Sequence, residues 1–351
     1  MKKIWIPIII VIIIIVAVVV FYKPKPKETI KIGVIVPLTG PGASIGTTLK
    51  EALEWKIEEL KAQGVPIELY IEDSQSDVKQ AVSAFQNLVN VKGVGLIFTI
   101  TSSAGLALKP LAEENKVLVW ADTTHPNQTR DSHYVLRHSN IVEKDVAVIG
   151  DFIKQKSYKR IGLIYQQDDW GVAWNQYFID FAKNSNIEVI SEAVNPKDSD
   201  FRTTITKVKA KDPDAIFLVA LGPAAGLLIK QAKELEYKGD LYSSNGFILT
   251  PDAVKIAGDF AKGMYYLTYE ENAQFKKDYQ KKLNKEPSIL GFVGYTDIEL
   301  LYYAIKQTKS SDPEKIINFI KGVKEFQGKY ERVEINSTGD IILSTQVKIW
   351  E

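Results

Sequence analysis

The chain has 351 residues, with 44 basic and 43 acidic side chains, three histidines and no cysteine. Because the charges balance, neither nucleic acid nor a strongly charged surface is predicted as a partner. The scarcity of histidine and the lack of cysteine argue against a zinc, iron–sulfur or thiol-based site, so no metal and no cofactor are predicted.

An almost unbroken apolar run from Ile4 to Tyr22 opens the chain. As a helix it would be about 28 Å long, close to the roughly 30 Å hydrocarbon core of a bilayer. The run is longer than the apolar part of a secretory signal, and no small-residue cleavage pattern follows it. An uncleaved membrane anchor over residues 1–22 is therefore favoured over a removed signal peptide. Lysines flank the run on both sides, so the positive-inside rule does not support export.

Residues 23–29 alternate lysine with proline and are predicted to form an extended spacer. Beyond them, apolar strand-like runs alternate with amphipathic helix-like stretches. The predicted strands are Ile30–Val36, Ile67–Ile71, Leu96–Phe98, Val117–Trp120, Arg160–Tyr165, Glu188–Ala193, Ala215–Val219 and Gly239–Tyr242. The predicted helices are Ile45–Gln63, Asp77–Val91 with Asp77 as N-cap, Ser103–Glu114, Glu143–Lys154, Trp170–Asn184, Phe201–Lys209 and Pro223–Leu235. Such alternation is typical of an α/β protein with parallel sheets covered by helices on both faces.

A pause near Arg137–Ile141 divides these units into two doubly wound lobes, with a ligand cleft expected at the carboxyl ends of their strands. The chain closes with helices at Asn272–Leu283, Phe292–Lys306 and Asp312–Lys321, and with β-like segments at Tyr330–Ile335 and Ile341–Trp350. These are too few strands for a third domain. We expect residues 30–139 and 270–325 to form the first lobe, and residues 140–269 and 326–351 the second. About three crossovers would then join the lobes and permit closure.

Five segments of the chain resemble the type I periplasmic-binding-protein fold, in particular the branched-chain amino-acid-binding (Leu/Ile/Val-binding-like) proteins of ABC transporters. They are KIGVIVPLTGPGASIGTTLKEALEWKIEEL, VKGVGLIFTITSSAGLALKPLAEENKVLVWADTTHP, IGLIYQQDDWGVAWNQYFIDFAK, DPDAIFLVALGPAAGLLIKQAKELEYKG and GFVGYTDIELLYYAI, in the family's order.

The resemblance implies an extracytoplasmic solute-binding protein, held at the cell membrane by its N-terminal helix. It would capture a small ligand, a branched-chain amino acid or a related amide or carboxylate, by hinge closure and deliver it to permease and ATPase subunits. A membrane-tethered ligand-sensing module is the alternative, since receptors use the same fold. The glycines of GVIVPLTGPG do not fit a dinucleotide or phosphate loop, and no histidine stands beside a nucleophile elbow, so catalysis is not predicted.

The first group of candidate ligand-binding residues is Thr101, Ser102 and Ser103, which follow a predicted strand and open a helix. Hydroxyls and backbone amides at a helix N-terminus suit a carboxylate. A simple helix cap is the alternative interpretation.

The second group, Asp122, Thr123 and Thr124, follows the neighbouring strand. The resemblance implies that a backbone carbonyl at Asp122 and the hydroxyl of Thr124 hold the ligand's ammonium and carboxylate. Turn formation before His125-Pro126 is the alternative.

In the second lobe, the resemblance implies that Trp170, in an aromatic–glycine pair, covers the ligand, with packing inside its own lobe as the alternative. Leu221 stands where the family often has a tyrosine. Phe292 is implied to line the pocket, with helical core packing as the alternative.

Asn245 stands where branched-chain binders have an acidic residue that neutralises the ammonium. Because a buried ammonium without a carboxylate partner is costly, either Asp122 supplies the charge or the ligand has no ammonium.

Overall fold

The computed structural model describes residues 28–270 and 272–351. The predicted anchor over residues 1–22 and the first part of the spacer lie outside these residues. None of the helices in the described ranges is both long enough and apolar enough to cross a membrane.

The first lobe is built on a six-stranded, all-parallel sheet. Its strands, in spatial order, are β13 (Asp340–Ile342), β5 (Val135–Ser139), β4 (Leu118–Asp122), β3 (Leu96–Ile100), β1 (Ile30–Val36) and β2 (Ile67–Asp73). The central strands consist of apolar residues that are buried on both faces, which is why the sequence shows continuous apolar runs rather than alternation there. The helices around this sheet are α1 (Ala43–Ala62), α2 (Val78–Gln86), α3 (Ser102–Asn115), α9 (Ala273–Leu283), α10 (Ile289–Thr308) and α11 (Pro313–Gly322).

The second lobe repeats the same plan. Its sheet has the order β14 (Thr345–Ile349), β10 (Tyr265–Tyr269), β9 (Asp240–Ser243), β8 (Ala215–Val219), β6 (Arg160–Gln166) and β7 (Glu188–Val194). All neighbours are parallel except β14, which runs antiparallel to β10. Its helices are α4 (Val142–Lys154), α5 (Asp169–Asn184), α6 (Arg202–Lys209), α7 (Gly222–Glu234) and α8 (Pro251–Ala257). Each face of this sheet carries its own apolar core.

Side chains of the sequence fix several helix starts. The carboxylate of Asp77 accepts hydrogen bonds from two backbone amides of α2, as predicted. Asp168 does the same for α5 by accepting from the amide of Gly171 at 2.8 Å. Asn272 and Asp312 cap α9 and α11 in this way. Such caps satisfy amides that have no partner within the helix and stabilise it by about 1 kcal/mol each.

The chain passes between the lobes three times: after β5, after β10 and between β13 and β14. The last crossing corrects the expected division of residues 326–351. The short hairpin of β11 (Glu325–Gln327) and β12 (Arg332–Glu334) packs on the first core, and β13 pairs with β5, so only the end of the chain joins the second sheet.

In the two six-stranded sheets, two strands were not predicted, one in each sheet; the short β11 was not predicted either. β5 has the sequence VLRHS, in which Arg137 and His138 are almost fully buried, and β10 has the sequence YYLTY. Neither shows the apolar run that marks the other strands. The apparent pause near Arg137–Ile141 is therefore a strand followed by the first crossover.

Candidate functional site

A cavity of about 320 Å³ lies between the lobes, where the carboxyl ends of both sheets meet. Ligand sites in open parallel sheets occur at this edge, and the volume suits a small molecule. Nine of the ten predicted ligand-binding residues line the cavity: Thr101, Ser102, Ser103, Asp122, Thr123, Thr124, Trp170, Leu221 and Asn245. Much of the remaining wall is apolar, formed by Pro41, Ile45, Val78, Ile100, Pro196, Leu249, Ile289, Leu290, Val293 and Leu343.

The turn between β3 and α3 brings its hydroxyls to the cavity. Within the described chain, Thr101 makes no side-chain capping hydrogen bond to α3, so the capping alternative does not account for this residue. Its backbone has φ 79° and ψ 134°, an unusual conformation for a β-branched residue. Strained backbone of this kind costs about 1–3 kcal/mol and concentrates at ligand sites. The N-terminal amides of α3 and the hydroxyls of Ser102 and Ser103 thus offer a carboxylate several donors.

The segment after β4 divides its polar groups between the cavity and the protein interior. The Thr124 hydroxyl is buried and has no partner among the described residues, while the Thr124 carbonyl accepts from the amide of Val142 at 3.1 Å. Thr123 donates its hydroxyl to Oε1 of Gln128 at 3.1 Å. Of the two threonine hydroxyls, that of Thr124 is therefore the one left to a ligand.

The carboxyl group of Asp122 lies in a buried cluster with Asp297 and His138. Burial, reinforced by the neighbouring Asp297 carboxyl, raises the pKa of Asp122 well above its usual range. Burial likewise raises the pKa of Asp297 and lowers that of His138, whose Nδ1 lies 2.7 Å from Asp297 Oδ1. A carboxyl group whose pKa is raised in this way is a poorer partner for an ammonium than an ordinary aspartate.

The second lobe presents Trp170 at the start of α5. The residue is 6% exposed, packs into the second-lobe core as the alternative interpretation expects, and lines the cavity, where contact with a ligand stays a prediction. Asp168 beside it has both carboxylate oxygens occupied, by the amide of Gly171 and by Gln166 Nε2. Burial raises the pKa of Asp168. Leu221 packs against the cores of both lobes and closes one side of the cavity.

Asn245 belongs to a buried hydrogen-bond network that connects the crossovers. Its Nδ2 donates to Asn140 Oδ1 at 3.3 Å and to the hydroxyl of Tyr269, which itself donates to Asn140 Oδ1 at 2.7 Å. Asn140 Nδ2 donates to Asp145, which also accepts from the Thr345 hydroxyl at 2.7 Å. We call these five residues the hinge network, because Asn140, Tyr269 and Thr345 lie at or beside the three crossovers.

Phe292 does not line the cavity, which corrects the expectation from the resemblance. Its ring packs 5.2 Å from that of Phe275, in an aromatic cluster on the far side of α10 that also contains Trp55. Successive helical residues point about 100° apart, so when Ile289 and Val293 face the cavity Phe292 is turned away.

Sequence reasoning missed Ser139, Asn140 and Tyr269 as cavity residues. The rule that identified Thr101 and Asp122, polar residues directly after a parallel strand, would have found them too. It could not be applied because β5 and β10 were not recognised as strands. Lys197 also lines the cavity, but it lies three residues beyond the end of β7, so this rule does not identify it.

Comparison with known proteins agrees with this architecture. A sequence profile of a family described as periplasmic binding protein matches residues 29–343. A Leu/Ile/Val-binding protein of Rhizobium johnstonii is 26% identical over 329 residues, which is 89% of each chain. The crystal structure of a leucine-binding protein from Thermotoga maritima has 27% identity and a TM-score of 0.85, covering 92% of this chain and 96% of its own. A solute-binding protein from Rhodopseudomonas palustris in complex with 3,4-dihydroxybenzoic acid is similar in fold, with 24% identity, a TM-score of 0.82, and 92% and 93% of the two chains covered.

Proposed function

This chain belongs to the periplasmic binding protein family, and we propose that it is the extracytoplasmic solute-binding protein of an ABC importer, with a small carboxylate as its ligand. The family binds solutes and is not enzymatic. Relatives described as Leu/Ile/Val-binding make a branched-chain amino acid, or a carboxylate or amide of similar size, the ligand class to consider first. Transfer to permease and ATPase subunits follows from the same relationship.

The observation that carries the ligand assignment is the pairing of free hydroxyl groups with apolar walls in one cavity. The N-terminus of α3 and the Thr124 hydroxyl provide donors for a carboxylate, each worth about 1.5–3 kcal/mol when it meets a charged acceptor. Trp170, Leu221 and Val293 supply apolar surface from both lobes for the rest of the molecule. A small acid with an apolar body fits this combination.

Capture would proceed by closure of the two lobes about the crossovers. The ligand binds first to the hydroxyls of the first lobe and is then covered by Trp170 and Leu221 of the second. Shifting the ratio of closed to open protein from 1:99 to 99:1 requires a ligand that binds the closed form about 5.5 kcal/mol more tightly than the open form. A few charge-assisted hydrogen bonds and the burial of apolar surface supply an energy of this size.

Residues 1–22, outside the described part of the chain, are the proposed tether. A membrane-bound receptor domain would remain near its transporter. The extracytoplasmic placement of the domain is inferred from the family, since the flanking lysines do not determine orientation.

Thermal unfolding of the protein against a panel of amino acids, amides and small carboxylates tests the proposed function. A true ligand at one hundred times its dissociation constant should add about 2.7 kcal/mol of stability. The stabilisation should disappear when Ser103 and Thr124 are both replaced by alanine, while the unliganded protein keeps its unfolding midpoint. A panel in which no carboxylate stabilises the wild-type protein would refute the proposed ligand class.

A further inference from the structure

The Asn245 carboxamide offers the cavity an unpartnered neutral acceptor. Its residue is 1% exposed and lines the cavity, and its Oδ1 has no partner among the described residues. A buried acceptor left without a donor costs about 1–3 kcal/mol. A ligand that donates a hydrogen bond to this atom removes the cost.

The orientation of the Asn245 amide follows from the hinge network. In the structure Asp145 accepts hydrogen bonds from Thr345 and from Asn140, so the amide nitrogen of Asn140 faces Asp145. The Asn140 oxygen is then turned toward Tyr269 and Asn245 and requires donors from them. Asn245 meets this requirement only with its nitrogen inward, which leaves Oδ1 for the cavity.

The charges around the cavity disfavour a cationic group at this position. The two acidic residues that line it are Asp122, whose pKa is raised by burial and by the neighbouring Asp297, and Asp168, whose oxygens are already bonded to Gly171 and Gln166. Lys197 contributes a positive charge to the lining. An ammonium buried here would keep a desolvation penalty of several kcal/mol that a neutral hydroxyl does not have.

On the basis of the proposed function, we infer that Asn245, held in place by Asn140, Tyr269 and Asp145, makes the site selective for a small apolar hydroxycarboxylate over the corresponding amino acid. The carboxylate binds the hydroxyls and amides of the first lobe. The hydroxyl donates to Asn245 Oδ1 from the other side of the cavity. Asn245 is thus a specificity-determining residue, and the other three are positioning residues.

Three probes of nearly equal size test this inference by calorimetry: leucine, 2-hydroxy-4-methylpentanoate and 4-methylpentanoate. The hydroxy acid should bind about 10- to 100-fold more tightly than leucine, because leucine brings an unpaired ammonium. It should bind about 5- to 100-fold more tightly than 4-methylpentanoate, which cannot donate to Asn245. Tighter binding of leucine would overturn the inference and leave the proposed function intact, and equal binding of the two amino-free acids would also overturn it. Failure of all three probes would count against the proposed ligand class as well.

The variant Asn245→Asp extends the test, because it places a carboxylate where the neutral oxygen was. It should bind leucine more tightly than the hydroxy acid, reversing the order of the wild-type protein. Asn127→Asp is the matched control, since it adds the same charge at an exposed loop of the first lobe and should leave the order unchanged. If Asn245→Asp folds and keeps the wild-type order, the specificity role of Asn245 is refuted. Should this variant not fold, the ranking of the three probes on the wild-type protein still decides.

Discussion

The two lobes share one strand order but differ at the sheet edges that face the cavity. In each lobe the helix that follows the first strand approaches the end of that strand so closely that only glycine fits. A Cβ at Gly46 would lie 2.0 Å from the Pro37 carbonyl oxygen, and one at Gly171 would lie 1.9 Å from that of Gln166. The backbones of the two lobes therefore pack in the same way at the strand ends beside the cavity.

The side chains that follow the strands are not equivalent. The first lobe presents hydroxyls at Ser102, Ser103 and Thr124, whereas the second presents an indole and a carboxamide at Trp170 and Asn245. Hydroxyls and helix amides suit a charged carboxylate, while the indole and carboxamide suit apolar and neutral polar groups. Under the proposed function, the first lobe anchors the ligand, and the second covers it and sets the selectivity.

The outer strands of the two sheets differ as well. In the first lobe, β13 is held to β5 by a buried ion pair, with Arg137 Nη2 2.8 Å from Asp340 Oδ1. Arg137 also donates to the His125 carbonyl at 2.8 Å. In the second lobe, β14 pairs antiparallel with β10 along five residues, from Tyr265–Ile349 to Tyr269–Thr345.

Breaking the buried pair should have the largest effect. Arg137→Met leaves Asp340 buried without its partner, so the free energy of unfolding should fall by about 3–5 kcal/mol in chemical denaturation. Arg202→Met in the second lobe is the control, because its ion pairs with Asp200 and Glu234 are about half exposed. That variant should lose less than about 1 kcal/mol. Equal losses would show that the outer strand of the first lobe does not depend on the buried pair.

The hinge network should make stability depend on pH. Burial raises the pKa of Asp145 to about 7. Between roughly pH 4 and 7 the folded protein therefore retains a proton that the unfolded chain has released, so this group's contribution to stability declines as pH rises through that window and is constant above it. The decline should be on the order of 2–4 kcal/mol.

Comparing Asp145→Asn with the wild-type protein isolates this contribution, because the buried carboxyls of Asp122 and Asp297 remain in both. The variant should show a flatter curve of unfolding free energy between pH 4 and 7. Asp151→Asn, at an exposed position of the same helix, should leave the wild-type curve unchanged. Parallel curves for Asp145→Asn and the wild-type protein would contradict the assignment.

Removing one anchoring hydroxyl should weaken binding by about 1.5–3 kcal/mol, roughly 10- to 150-fold, for a carboxylate identified in the thermal screen. This expectation applies to Ser103→Ala and to Thr124→Ala separately, measured by calorimetry. Gln167→Ala, on the second-lobe side of the same cavity, should change affinity only a few-fold. A larger loss for Gln167→Ala than for either hydroxyl variant would reverse the roles assigned to the lobes.

The smallest expected effect concerns the covering aromatic residue. Trp170→Phe should reduce affinity by about 0.5–1.5 kcal/mol, because a smaller ring covers less of the ligand. Phe292→Ala should leave affinity unchanged and lower only the unfolding midpoint, since its ring packs against Phe275 away from the cavity. A fall in affinity for Phe292→Ala, measured in the same titration, would show that Phe292 contributes to the ligand pocket, as the resemblance implied.

Sequence patterns were sufficient where a strand is uniformly apolar and its end is marked by polar residues. β3 and β8 are of this kind, and the hydroxyls after β3 were found for that reason. β5 was not found because its buried polar residues Arg137 and His138 have their partners, Asp340 and Asp297, more than 150 residues away. No local pattern reveals such partners, so Asn140 at the end of β5 was missed.

Phe292 was misplaced for a different reason. A helical stretch in which apolar residues occupy most positions, as at the start of α10, does not show which face meets the cavity and which meets α9. Only the packing of α9 against this helix, through Phe275, decides the question.

A crystal structure of the protein with the carboxylate that stabilises it most tests the central claim directly. We expect the ligand carboxylate within hydrogen-bonding distance of the Thr124 hydroxyl and the N-terminal amides of α3, with its apolar body under Trp170. A carboxylate bound instead at Lys197, with the first-lobe hydroxyls uninvolved, would contradict the division of labour between the lobes.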